Sequence, residues 1–369
     1  MAIVVESTRS ELLKPLQTIA GIVERRHTMP ILSNVLIENR DGILYFVGTD
    51  LEIQMTTRGP QVGAGAIQLT TSIRKFLDIL RGLPADAPVR LEVGGDQLHI
   101  RSGRGTYQLQ TLPAADFPLM KTQGEVKIAF SIKEKELHDM LSLVQYAMAV
   151  QDIRYYLMGV LFQLKDNCLN LVATDGHRLS YATHALGGHF PDIDNIIVPR
   201  KTVLELTKLL SAPEEIVTVE LFNDKIRFHA GDTVILSKII DAKFPNYQSV
   251  IPLDNKNIFT VDREQLLHAL ERVSPLANEK VRGVNFSLKS GELCLACSNN
   301  EQEVGEESLE IAYQGQALDL SFNLSYLLDV LRSVPSDLIQ LSLGTYKSSA
   351  LFTIPGENYF KYVLMPMRI

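Results

Sequence analysis

The feature that most constrains this chain is that it repeats itself. LVATD, from Leu171 to Asp175, is matched 125 residues earlier by FVGTD, from Phe46 to Asp50, and 124 residues later by LACSN, from Leu295 to Asn299. The first offset also carries LMGVLF at Leu157 onto LSNVLI at Leu32, and LHDML at Leu137 onto LLKPL at Leu12. Further along, LDIL at Leu77, LELT at Leu204 and LDVL at Leu328 recur at spacings of 127 and 124. A unit of this length is too long for a solenoid and has the ordinary size of a domain. Three tandem copies of one domain are expected, over 1–124, 125–252 and 253–369.

Within a copy the pattern reads strand, helix and three strands, twice over, which gives two helices and eight strands. Helical stripes such as Leu12, Leu13, Leu16 and Ile19, with Ser10 as N-cap, predict helices over 10–26, 72–83, 133–148, 200–211, 262–274 and 325–334. Runs such as VRLEVGG and QLHIRSG alternate apolar and polar residues. They predict antiparallel sheets wet on one face and covered by the helices on the other, an α+β fold. The segment from Asp152 to Tyr181 reads as two strands and a tight turn in which Gly176 supplies the positive φ.

Composition narrows the function. At 46% apolar residues the 369-residue chain is globular. No apolar run approaches the ~18 residues of a membrane span, and MAIVVESTRSELL is not a signal peptide, so a cytoplasmic protein without membrane contact is expected. Three cysteines fit a reducing compartment. Cys294 and Cys297 form a CxxC, but three residues apart on a strand they face opposite ways and cannot share an ion. The net charge of −7 argues against coating nucleic acid with the whole surface. The helical segments nonetheless hold 14 basic against 11 acidic residues, so positive charge leans toward the helices.

Asp175, His177 and Ser180 invite a catalytic reading. No nucleophile elbow, metalloprotease helix or phosphate loop accompanies them, and the repeat places Asp50, Leu51 and Glu52, or Asn299, Asn300 and Glu301, at the matching positions. Asp175 reads as a turn residue bonding its own backbone. No catalytic residue, metal or cofactor is expected. Arg154-Tyr155-Tyr156, taken as strand, gives one core ring and one surface ring; the alternative is a basic stacking surface for nucleic acid.

QDIRYYLMGVLF, LVATDGHRL, IIVPRK, SKIIDAKFPNY, LANEKVRGV, FNLSYLLDVL and the terminal YVLMPMRI together resemble the bacterial DNA polymerase III beta subunit, the sliding clamp. The resemblance covers the whole chain. It implies three clamp domains and a homodimeric ring, closed head to tail around double-stranded DNA without sequence specificity. The implied partners are the replicative polymerase catalytic subunit, the clamp loader complex, and other polymerases and repair proteins carrying clamp-binding peptides. By resemblance, DNA contacts fall at Arg26, Arg74, Gln151, Tyr155, Tyr156, Arg200, Lys201 and Arg282. The implied partner-peptide pocket comprises Leu157, Thr174, Gly176, His177, Arg178, Leu179, Pro245, Val250, Asn323, Tyr326, Val363, Met365, Pro366 and Met367. The implied dimer interface sets Lys75, Ile79, Leu83, Tyr107 and Leu109 against Pro275, Leu276, Glu301, Glu303 and Glu306. Val150, Ser249, Pro275, Val281 and Lys347 depart from the residue types expected there.

Overall fold

The computed structural model describes residues 3–24, 28–63, 67–122 and 124–367. The first copy runs β1 (Ile3–Thr8), α1 (Arg9–Ala20), β2 (Asn34–Arg40), β3 (Ile43–Thr49), β4 (Ile53–Gln61), β5 (Gln68–Ser72), α2 (Ile73–Gly82), β6 (Pro88–Gly94), β7 (Gln97–Ser102) and β8 (Gly105–Pro113). The second runs β9 (Ile128–Lys133), α3 (Glu134–Val144), β10 (Gly159–Lys165), β11 (Cys168–Thr174), β12 (Arg178–Ala185), β13 (Ile193–Pro199), α4 (Arg200–Leu209), β14 (Ile216–Leu221), β15 (Lys225–Ala230) and β16 (Thr233–Lys238). The third runs β17 (Asn257–Asp262), α5 (Arg263–Val273), β18 (Gly283–Lys289), β19 (Glu292–Ser298), β20 (Val304–Glu310), β21 (Leu318–Asn323), α6 (Leu324–Ser333), β22 (Leu338–Leu343), β23 (Ala350–Thr353) and β24 (Phe360–Leu364). Among the described residues the expected strand-helix-three-strand order recurs six times.

Packing does not follow the repeat. One compact unit comprises Met1–Lys135 with Leu204–Ile239, the other Glu136–Val203 with Ile240–Ile369. The first unit holds one twelve-stranded sheet, in which β4 of the first copy pairs with β16 of the second, Ile53 opposite Ser237 and Thr57 opposite Thr233. The second unit holds an eight-stranded sheet, joined where β12 pairs with β24, and a four-stranded sheet ending in β20. The middle copy is therefore shared between the units. An outer strand left unpaired would present bare N–H and C=O groups, and joining neighbouring copies edge to edge satisfies them.

The helices cover the sheets as their stripes require. Leu12, Leu16 and Ile19 of α1 are fully buried, as are Phe76 and Leu80 of α2, each burial contributing about 1.5–3 kcal/mol. The N-cap of α1 is Thr8, not Ser10. The Thr8 hydroxyl accepts from the Glu11 N–H and the Glu11 carboxylate accepts from the Thr8 N–H, while Ser10 donates to Ala85 O. The helix stops at Ala20, short of the expected residue 26. Glycine follows because Glu205 closes in there: a Cβ on Gly21 would lie 2.3 Å from its Oε2.

Two other expectations change. The segment from Asp152 to Tyr181 supplies parts of three strands, β10, β11 and β12. Its first residues form no strand, and Tyr155–Leu157 make a single 3-10 turn. Asp152 Oδ1 accepts from the Arg154 backbone N–H at 2.8 Å and so draws that backbone into a local turn. Tyr155 is exposed and Tyr156 packs on the core, the division expected of a strand but produced by the turn.

Candidate functional site

The site grows out of a turn that the sequence writes three times. After β11, Asp175 Oδ1 accepts from the N–H groups of His177 and Arg178, and Thr174 Oγ1 accepts from Gly176 N while donating to Arg178 O. After β3, Asp50 Oδ1 accepts from Glu52 and Ile53, with Thr49 in the role of Thr174. After β19, Asn299 Oδ1 accepts from Glu301 and Glu303. Asp175 thus acts on its own backbone. Asp, Asn and Thr side chains reach such N–H groups easily, which is why these types end the strand each time.

Only the second copy adds an arginine. Arg178 is buried, and its guanidinium donates to Asp175 Oδ2 at 3.1 Å, to Asp329 Oδ2 on α6 at 2.7 Å and to the carbonyl of Tyr146. Its planar face lies 4.1 Å from the centre of the Tyr326 ring. A charge this deep is tolerable because two carboxylates, a carbonyl and an aromatic face compensate it. Below it, burial pushes the phenols of Tyr146 and Tyr362 well above their ordinary range. Tyr362 donates to Tyr326 O and Ser180 donates to Leu143 O. Burial, with the Arg178 charge, also depresses Arg200.

Above this floor lies an apolar cavity of about 380 Å³ within the second unit. One wall is a buried cluster containing Leu161, Val172, Leu179, Phe244, Tyr247 and Val363. Val250 and Met365, each half exposed, stand at its mouth. Arg154 borders it, fixed by two hydrogen bonds to Asp152 and one to Asp175 O. The Arg154 guanidinium holds the Asp152 carboxyl down at about 2. A few polar groups fixed around an apolar hollow suit an extended peptide whose side chains enter and whose backbone stays near the rim. Among the described residues no cluster of His, Cys, Asp or Glu has the makings of a metal site. Cys294 and Cys297 point to opposite faces of β19, one half-buried and one buried.

Of the residues that the resemblance assigns to a pocket, Leu157, Thr174, Gly176, His177, Arg178, Leu179, Pro245, Val250, Val363 and Met365 line this cavity. Asn323, Tyr326, Pro366 and Met367 do not line it: Asn323 caps α6, Tyr326 backs Arg178, and Met367 bonds Ser321 O. Arg154, Tyr156, Phe244, Asn246, Tyr247 and Ser349 line it without having been assigned there. For Phe244 to Tyr247 the signal was present in KFPNY, which ends the second copy as DFP ends the first. Ser349 carries no motif.

The residues assigned to DNA are dispersed. Arg74, Gln151, Tyr155 and Arg282 are exposed, Tyr156, Arg200 and Lys201 half-buried, and Arg26 lies outside the described residues. Those assigned to an interface fall on two separate strand edges with the helices beside them. Lys75 and Ile79 of α2, Leu83 just after it, and Tyr107 and Leu109 of β8 belong to the first unit. Pro275 and Leu276 after α5, Glu301 and Glu303 in the β19–β20 turn, and Glu306 of β20 belong to the second.

Models of the N-terminal, central and C-terminal domains of the DNA polymerase III beta subunit match residues 1–121, 131–246 and 248–368. The beta sliding clamp of Pseudomonas putida is 40% identical over 362 residues, covering 98% of each chain, and that of Escherichia coli 39% identical over 363 residues with the same coverage. Among solved structures, the DNA polymerase III subunit beta from Pseudomonas aeruginosa superposes with a TM-score of 0.95 at 38% identity over 100% of both chains. A sliding clamp from that organism bound to griselimycin matches equally well. Repeat and fold thus converge with these matches, and the chain belongs to the DNA polymerase III beta subunit family, the bacterial beta sliding clamps.

Proposed function

We propose that two copies of this chain close head to tail into a ring that encircles double-stranded DNA and tethers the replicative polymerase to it. The observation that carries the reading is a pair of open strand edges of opposite charge. Among the described residues, Gly105 to Leu109 of β8 pair only with β7, and β20 pairs only with β19. Beside the first edge stand exposed Arg74 and Lys75, and along the second exposed Glu301, Glu303 and Glu306. An edge left bare invites another strand, and a contact between two different edges, repeated by a twofold axis, closes.

In this reading three clamp domains span 1–124, 125–252 and 253–369, and the protein performs no chemistry. The six helices among the described residues carry twelve basic and nine acidic side chains. Weak, dispersed attraction of this kind suits sliding, since each tight phosphate contact would have to break at every step. The cavity over Arg178 docks linear peptides of the polymerase, the clamp loader and repair proteins. No helix among the described residues is long and apolar enough to cross a membrane, in keeping with a cytoplasmic role.

Retention on DNA is the test. After loading, the protein should stay on a closed circle and run off once the circle is cut, and its mass in solution should be that of a dimer. A monomer, or retention indifferent to cutting, would sink the ring.

A further inference from the structure

We infer that Leu51 is a stopper seated in a first-copy counterpart of the cavity, and that with the Glu52–Lys238 ion pair it closes that counterpart to an incoming aliphatic side chain. The inference rests on the docking role proposed for the second-unit cavity.

The correspondence is residue by residue. β2, β3 and β4 begin at Asn34, Ile43 and Ile53, and β10, β11 and β12 begin 125 residues later at Gly159, Cys168 and Arg178. The strand that follows β4 in its sheet attaches in the same way: Lys238 N donates to Glu52 O at 2.9 Å, as Met365 N donates to His177 O at 3.0 Å. The apolar wall is repeated too. Leu36, Val47 and Phe117 in the first copy stand where Leu161, Val172 and Phe244 stand in the second.

The two places differ at the tip of the turn. Gly176, at φ +92°, has no side chain, and the wall beneath it opens to solvent. Leu51 holds the same left-handed conformation at φ +77°, and its side chain packs onto Ile31, Leu32, Leu36, Val47 and Phe117. Leucine seldom accepts a positive φ. It is retained here with its side chain driven into the place that the second copy leaves vacant. At the rim, Glu52 and Lys238 form a 2.8 Å ion pair where the second copy has His177 and Met365. The first copy is thus filled from within and latched outside.

Crystals of the wild-type protein, Leu51→Gly and Leu51→Ala under xenon pressure test this directly. Glycine relieves the backbone and alanine keeps a Cβ, so failure of one variant to fold leaves the other informative. Wild type should show no xenon against Leu36, Val47 and Phe117, and at least one variant should show it there. Xenon at that wall in the wild type, or its absence there in every variant that folds, overturns the stopper. Calorimetry of wild type with the clamp-binding peptide of the replicative polymerase judges the docking role separately: no binding would remove that role while leaving the xenon result standing.

Discussion

The turn after β11 and the turn after β3 share a backbone, a set of Thr and Asp hydrogen bonds and an apolar wall, yet they are stabilised by opposite means. In the second unit a guanidinium holds the floor, gathering Asp175, Asp329, the Tyr146 carbonyl and the Tyr326 ring around Arg178. In the first unit the position of Arg178 is taken by Ile53, which is buried, and that of Tyr146 by Gly21. The carboxylate matching Asp329 is Glu205, which turns to Lys208 at 2.7 Å. The polar floor leaves the space above the turn free, while the apolar version fills it. A duplicated module can thus gain a binding site with little change of backbone.

The comparison can be broken in four ways. Arg178→Ala should be the most damaging, because it leaves two carboxylates and a carbonyl facing a void. A loss of about 3–5 kcal/mol in denaturant unfolding is expected, and a loss below about 1 kcal/mol would show that the floor does not depend on the ion pairs. Gly176→Leu imposes on the second copy the residue of the first. Its Cβ arrives 2.9 Å from the Arg154 guanidinium, and its side chain enters the cavity. Binding of the replicative polymerase's clamp-binding peptide, read by calorimetry, should weaken about a hundredfold, or 2.7 kcal/mol; unchanged affinity would place the peptide elsewhere.

Alkali offers a third test. Tyr146 and Tyr362 are held neutral by burial, so their folded values lie above the unfolded value of 10.0. The stability they contribute is whole below pH 10 and is lost as the pH climbs from there toward the folded values, because only the unfolded chain ionises. The expected slope is up to about 1.4 kcal/mol per pH unit for each phenol. Hydrogen exchange should show the second unit loosening first, since Gly21 and Ile235 occupy the matching places in the first. Least of all, Glu52→Gln breaks an ion pair whose partners are 67% and 43% exposed, and thermal melts should register less than about 1 kcal/mol.

Much of this was legible in the chain. The offset of 125 gave the strand order, and the Thr-Asp pair gave the turn, because both are written in local residues. The compact units were not legible, since the pairing of Ile53 with Ser237 joins residues far apart that carry no mark of each other. By type alone Ser10 caps as well as Thr8, but Glu11 stands three residues after Thr8 and returns its N–H bond, a signal that Ser10, with Leu13 at that distance, lacks. Ser349 reaches the cavity from the β22–β23 connection with nothing in its neighbours to announce it. Asp329 reads as an ordinary exposed helix residue until the fold sets it against Arg178.

The middle copy lends half its strands to each unit, and this has a consequence for anyone wishing to cut the molecule down. A fragment ending near residue 125 would bare the flank of β4, from Ile53 to Thr57, and one beginning there would bare β16. Such ribbons stick to one another. Gene duplication left three legible paragraphs in the text, but no place between them where scissors could fall without fraying the cloth.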